Sequence, residues 1–234
     1  MAKYPRYAIY FATARGDALD RFGTQLLGYD SWTGEEVPFL SGVIEAEPDW
    51  RQLTEDPRKY GFHATLKAPI TLAQDKMEAE LLAACAAFAE KPHRIPVIAP
   101  VVDAISGFIA VIPKQRSREL DQLAADCVVA FDAFRAPLTA EDRARRNPER
   151  LTERQRTYLD RWGYPYVMEE FRFHMTLTGR IELPKRERVV SMLRTRFSAV
   201  GLEKLAVDAI ALFRQEDATS RFRIIDRWQL RDET

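Results

Sequence analysis

An α+β fold of two related halves is what this sequence predicts. Three observations lead there. The stretch Tyr60-Gly61-Phe62-His63-Ala64-Thr65-Leu66-Lys67 returns as Phe171-Arg172-Phe173-His174-Met175-Thr176-Leu177-Thr178, and two of the chain's three histidines sit in it. Within each copy polar and apolar residues alternate with the period of a strand. Each copy is then followed by a turn signal, a helical segment and strand-like runs, so the chain reads as two related halves.

Alternation sorts the motif residues by face. Phe62, Ala64 and Leu66 share a core face, with His63, Thr65 and Lys67 opposite; Phe171, Phe173, Met175 and Leu177 oppose Arg172, His174, Thr176, Thr178 and Arg180. A titratable ring, a hydroxyl and cations at two-residue steps suit a phosphate-binding wall. A single such strand reads equally as a solvated face carrying a chance histidine; the repetition argues against that.

From the N-terminus, residues 6–13 form a strand dense in aromatic and β-branched residues. Tyr7, Ile9 and Phe11 share one face and Arg6, Ala8 and Tyr10 the other, where Tyr10 either reaches a ligand or is a buried tyrosine with a backbone partner. Asp17 starts a short helix striped by Leu19, Phe22 and Leu26 and ended by Gly28. Residues 29–58 read as loops with a short strand or hairpin. After the first motif comes a helix with the stripe Met77, Leu81, Ala84, Cys85 and Phe88, closed by Lys91-Pro92-His93, with His93 on the surface. Runs at 94–104 and 107–113 read as two strands about Ser106-Gly107. Leu120, Leu123, Ala124, Cys127, Val128, Phe131 and Phe134 then mark a longer core helix.

Residues 137–163 differ in composition, with seven arginines from Arg143 to Arg161. Thr139 with Asp142, and Asn147-Pro148, look like helix starts, and Leu151, Tyr158 and Trp162 form one apolar face. The segment reads as an insertion before the second motif, a solvated helical pair laced with Glu–Arg contacts, or alternatively a lid or basic rim beside the cleft. Beyond the second motif, Val189, Leu193, Phe197 and Val200 stripe a helix. Two strand-like runs follow, the last over 221–230.

At 234 residues and 46% apolar composition, one bilobal domain over 1–234 is expected. No apolar run approaches bilayer length, and Met1 to Arg6 lacks the apolar region of a secretion signal, so a cytoplasmic location without membrane partners is expected. Cys85 and Cys127 fall on helical stripes and read as small core residues. Zero net charge gives no global pull toward long nucleic acid. Glycine-rich phosphate loops, Cys-x-x-Cys pairs, paired-histidine metal spacings and the Gly-x-Ser-x-Gly elbow are all missing from the sequence.

With the motifs in view, the chain resembles the two-histidine phosphoesterase superfamily, which includes RNA-ligase-like cyclic phosphodiesterases. Arg6-Tyr7-Ala8-Ile9-Tyr10-Phe11 together with the two motif stretches, through Arg180, more narrowly resembles a bacterial branch associated with phosphonate metabolism. The resemblance implies a bilobal, pseudo-two-fold α+β fold of duplicated β-α-β halves with antiparallel-rich sheets, whose motif strands line a central cleft. It also implies substrates of cyclic phosphodiester type, here a small phosphorylated sugar or nucleotide, and a cleft that a phosphate or sulfate ion could enter. The residues themselves support the same chemistry. Two histidines bracketing a phosphorus supply one neutral base and one protonated acid near neutral pH. Thr65 and Thr176 stand ready to bond the non-bridging oxygens, and Tyr10, Lys67, Arg172 and Arg180 to hold the anion. The scheme calls for no metal and no cofactor. Two rivals stay open: a nucleotide- or RNA-binding module without turnover, and a metal-dependent hydrolase with both histidines as ligands.

Overall fold

β1 (Arg6–Phe11) sends its two faces into different surroundings. Tyr7, Ile9 and Phe11 enter the large core, while Ala8 and Tyr10 join a smaller cluster with Ala211, Phe213, Phe222 and Ile224. The computed structural model describes residues 4–233; Met1–Lys3, part of the segment read for a secretion signal, lie outside them.

The chain continues through α1 (Ala18–Leu27), ended by Gly28 in the left-handed conformation that glycine adopts without a Cβ clash. The first motif opens β2 (Ala64–Ile70), followed by α2 (Glu78–Ala89), the hairpin of β3 (Pro100–Ile105) and β4 (Phe108–Pro113), and α3 (Arg118–Ala130). α4 (Glu153–Trp162) lies in the insertion. The second motif holds β5 (Met175–Thr176), and α5 (Lys185–Ser198) leads to the hairpin of β6 (Ala209–Gln215) and β7 (Arg223–Gln229).

These seven strands form one antiparallel sheet in the order β7-β6-β1-β2-β5-β4-β3. Its centre falls between the two motif strands. Reading outward, β1 answers β4 and β6 answers β3; along the chain, β1-α1-β2-α2-β3 answers β4-α3-β5-α5-β6. The last strand of each unit is exchanged, because β3 pairs with β4 and β6 pairs with β1. The helices follow the exchange: α2 packs on β6 and β7, and α5 on β3 and β4. Neither unit completes its own lobe, so the duplicated halves interlock.

All four long helices of the two units bury their stripes in the same core, on one face of the sheet. Leu81, Cys85 and Phe88, then Leu120, Leu123 and Cys127, then Val189, Leu193 and Phe197 are the anchors. Truncating any one of the leucines to alanine costs about 2–5 kcal/mol. Both cysteines are free and buried. Among the described residues, no helix is long and apolar enough to cross a membrane.

Several expectations need correction. Met77 is exposed at the N-cap of α2, one residue before the stripe begins. His93 is half-buried against Phe88, with Nε2 at 2.8 Å from the Phe88 carbonyl, because the chain after α2 folds back over the helix end. Residues 29–58 contain, besides a two-residue hairpin ladder, three helical turns at Val43–Ala46, Trp50–Leu53 and Glu55–Arg58. Trp50 pins them by burial and by donating its indole N–H to the Leu26 carbonyl at 2.8 Å. In the insertion the buried residue of α4 is Leu159; Tyr158 turns outward to bond Glu169.

Candidate active site

Ala64 lies opposite Met175 where β2 meets β5, and both point into the core. One step along each strand reverses the face. His63 is thereby set across from Thr176, and Thr65 across from His174, all four half-buried on the side away from the helices. The histidines occupy one diagonal of this square and the threonines the other. Diagonal neighbours in an antiparallel ladder stand roughly 7–8 Å apart, and the two imidazoles are near enough for the charge of His174 to act on His63.

Each motif carries its own device for holding its ring. His63 Nδ1 lies 2.9 Å from the Gly61 carbonyl, and His174 Nδ1 lies 2.7 Å from the Arg172 carbonyl, in both cases two residues back. A carbonyl only accepts, so Nδ1 carries the proton and Nε2 is left as the free basic atom in the neutral ring. The Thr65 hydroxyl reaches His63 Nε2 at a long 3.4 Å. Gly61 has φ +76°, and a Cβ there would meet Ser31 at 2.7 Å, so glycine is required where the first motif bends back to its histidine.

Burial pushes the His63 pKa down to about 4, with a further push from His174 and partial opposition from the bond to Gly61. Burial also lowers His174, opposed by its bond to Arg172. Both rings are therefore neutral near pH 7, and an approaching anion favours protonating one of them. Tyr10 stacks on His63 with ring centroids 3.8 Å apart and 21° between planes. Its phenol is pushed well up by burial and stays an O–H donor. Phe108 flanks His174 at 5.4 Å. Strand alternation gave no sign of Phe108, because it belongs to a separate hairpin.

Lys67 departs from the expected pattern. The ladder between β1 and β2 shifts register between Ile9 and Tyr10, so Thr65 opposes Tyr10 while Lys67 opposes Ile9, a core residue. This bulge turns Lys67 off the histidine face. The residue is 2% exposed; Nζ bonds the Val128 carbonyl at 2.9 Å and Asp132 at 2.8 Å. Its charge is thus held by Asp132 and is not offered to a ligand beside the histidines. The second motif also departs from a full strand: β5 spans two residues, Thr178 is buried with its hydroxyl accepting from the Ile109 amide, and Arg180 lies past the strand end beside Gly107. Arg172 is exposed, and its carbonyl, not its guanidinium, is what contacts His174.

A cavity of about 610 Å³ is walled on one side by the arginine-rich insertion and on the other by Arg6, Tyr60 and Lys67; none of the four residues of the square lines it, but Tyr60, whose ring is 6.1 Å from that of His63, does. The insertion is therefore a wall of this cavity as well as a helical surface. Among the described residues, no three His, Cys, Asp or Glu side chains gather as a metal ion would need.

A family described as "Protein of unknown function (DUF1045)" matches residues 65–223, most of the chain. The chain belongs to that family. Two relatives, from Janthinobacterium sp. (strain Marseille) and Laribacter hongkongensis (strain HLHK9), are both named ribose 1,5-bisphosphate phosphokinase PhnN. They are 34% and 30% identical over 90% and 94% of this DUF1045 chain, and the match covers 48% and 50% of their own length. The chain thus spans about half the length of the curated relatives it matches. Among solved structures, E. coli LigT complexed with 3'-AMP is similar over 98% of this chain and 100% of that one, at TM-score 0.43 and 12% identity. A crystal structure named only as a phosphoesterase is similar over the same shares, at TM-score 0.44 and 14% identity.

Proposed function

We propose that this DUF1045 protein is a phosphoesterase of phosphonate metabolism that opens a cyclic phosphodiester by two-histidine acid–base catalysis. The observation that carries the reading is the pair of carbonyl-anchored imidazoles, each with Nε2 as the unprotonated atom of the neutral ring, at opposite corners of one square with a threonine beside each. One Nε2, neutral, takes a proton from water as its oxygen bonds to phosphorus. The bond from phosphorus to a sugar oxygen breaks, and the other Nε2, protonated, gives its proton to that leaving oxygen. The product is a monoester, and the steps run backwards for ring closure. Each positioned proton transfer contributes about 10²–10⁴-fold. Thr65 and Thr176 donate to the non-bridging oxygens, and Tyr10 keeps the His63 ring in place. Arg172 and Arg180, exposed on the second lobe, draw the anion in.

The relatives' name favours a ribose phosphate as substrate. Opening a 1,2-cyclic phosphate carried on ribose 5-phosphate yields ribose 1,5-bisphosphate, the compound in that name. Nucleotide cyclic phosphates are the second class to screen. The test is a panel of small cyclic phosphates against wild type, His63→Ala and His174→Ala. Both variants are expected to lose hydrolysis while ligand affinity stays within a few-fold. Hydrolysis unchanged in either variant removes the two-histidine mechanism, and activity lost on chelation and restored by metal replaces it with a metal-dependent one.

A further inference from the structure

The cavity beside the histidine square contains more cations than its neighbouring acids account for. Lys67 and Arg135 share Asp132, and Arg145 is paired with Asp142, which Thr139 also bonds. Glu141 lies on the same wall. Two guanidinium groups, Arg6 and Arg146, form no ion pair with a described carboxylate. Arg6 donates to the neutral side-chain carbonyl of Gln215 at 2.8 Å and lies over the Phe222 ring at 5.4 Å. Arg146, exposed on the insertion, lies over the Tyr164 ring at 5.0 Å.

Both cations converge on one place. Arg6, Arg146, Tyr60 and Tyr164 line the cavity, and all four act electrostatically on the Tyr10 phenol. Tyr10 is the residue stacked on His63. Tyr60 lines the cavity and has its ring 6.1 Å from His63, so Tyr60 and Tyr10 stand between the square, where one phosphate would react, and a basin holding two unneutralised guanidiniums from opposite walls. Guanidinium groups suit phosphate oxygens because their N–H pairs match the oxygens two at a time. Stacking on Tyr164 leaves the Arg146 N–H edges free to point into the cavity, whereas Arg6 spends Nε and Nη2 on Gln215 Oε1 and offers Nη1.

We infer that the basin between Arg6 and Arg146 is a second phosphate site, occupied by a phosphomonoester elsewhere on the molecule whose other phosphate lies between the histidines. The inference rests on the phosphoesterase reading and adds to it which residues hold the phosphate that does not react, with the insertion selecting for it through Arg146.

Equilibrium binding separates the two ideas, since it requires no turnover. Ribose 1,5-bisphosphate is expected to bind wild-type protein at least about tenfold more tightly than ribose 5-phosphate. In Arg146→Gln that gap should close to within about twofold, and Arg146→Glu should weaken the bisphosphate further, with unchanged circular dichroism and melting. Arg6→Gln, read the same way, covers the opposite wall. Equal affinities in wild type, or a gap that survives in both Arg146 variants, overturns the second site. Two independent monophosphate sites with no advantage for the bisphosphate overturns it as well. Failure of the phosphoesterase reading shows elsewhere, as hydrolysis that persists in His63→Ala, and leaves the binding gap intact.

Discussion

Across the outer ladder of the first lobe, Thr65 faces Tyr10 on β1; across that of the second, Thr176 faces Ala110 on β4. The two positions correspond under the pseudo-two-fold, yet one carries a phenol and the other a methyl group. The consequence is visible at the histidines. His63 is roofed by Tyr10 at 3.8 Å, with Phe213 at 5.9 Å and Tyr60 at 6.1 Å, whereas His174 has a tilted Phe108 at 5.4 Å. Identical motif residues thus acquire different proton affinities from strands outside the motif. The crowded ring, His63, resists protonation more strongly and suits the base; His174 suits the acid.

The largest expected effect tests that division. His63→Gln and His174→Gln should each slow hydrolysis of a cyclic phosphate about 10²–10⁴-fold, and their residual pH profiles should differ. In wild type, kcat/KM should fall below about pH 4, where His63 takes up a proton. It should fall again on the alkaline side as His174, itself lowered from the ordinary value near 6.5, gives one up. The maximum then lies on the acid side of neutrality. His63→Gln should lack the acid limb and His174→Gln the alkaline one. Loss of the same limb in both variants erases the assigned roles.

How far the sequence foretold this depends on whether a residue's neighbours lie within its own strand. The duplication, the helix stripes, the two hairpins and the shared face of His63, Thr65, His174 and Thr176 follow from local periodicity, and the structure has them. Lys67 does not obey, because one bulge against β1 re-aims it toward Asp132, and a register shift depends on the partner strand. The shortness of β5 is similar: Thr178 leaves the pattern to satisfy the Ile109 amide on a neighbouring strand. The insertion's arginines were legible as a cluster, but that Arg143 is paired depends on Asp160, brought to it from 17 residues on by tertiary structure. The exchange of β3 and β6 between units left no local trace.

A smaller effect follows from giving the first lobe the residue of the second. Tyr10→Ala removes a ring that is 1% exposed and packed against Phe213 and Phe222. By analogy with buried aromatic truncations it should cost about 3–5 kcal/mol in urea unfolding, while Tyr10→Phe, which keeps the ring, should cost far less. With the roof gone, His63 should titrate closer to the ordinary histidine value. The chain has three histidines, so NMR titration resolves each ring. A His63 pKa unmoved in Tyr10→Ala would trace its burial to β2 and Tyr60 instead of to the Tyr–Ala asymmetry.

The smallest effect concerns stability against pH. The folded pKa of His63, about 4, lies below the unfolded value near 6.5, so in that interval the unfolded chain binds a proton that the folded chain refuses. Stability from this group is therefore complete above pH 6.5 and is lost as pH falls toward 4, by about 3 kcal/mol. His174 acts in the same direction. Paired carboxylates such as Glu47 and Asp49 also lose stability on acidification, so the informative quantity is the difference between proteins. Urea midpoints of His63→Gln should decline less steeply than wild type between pH 6.5 and 4, and those of His174→Gln should lie between the two. If His174→Gln flattens the curve as much as His63→Gln, the lobes bury their histidines equally, and the phenol at position 10 has no part in setting them apart.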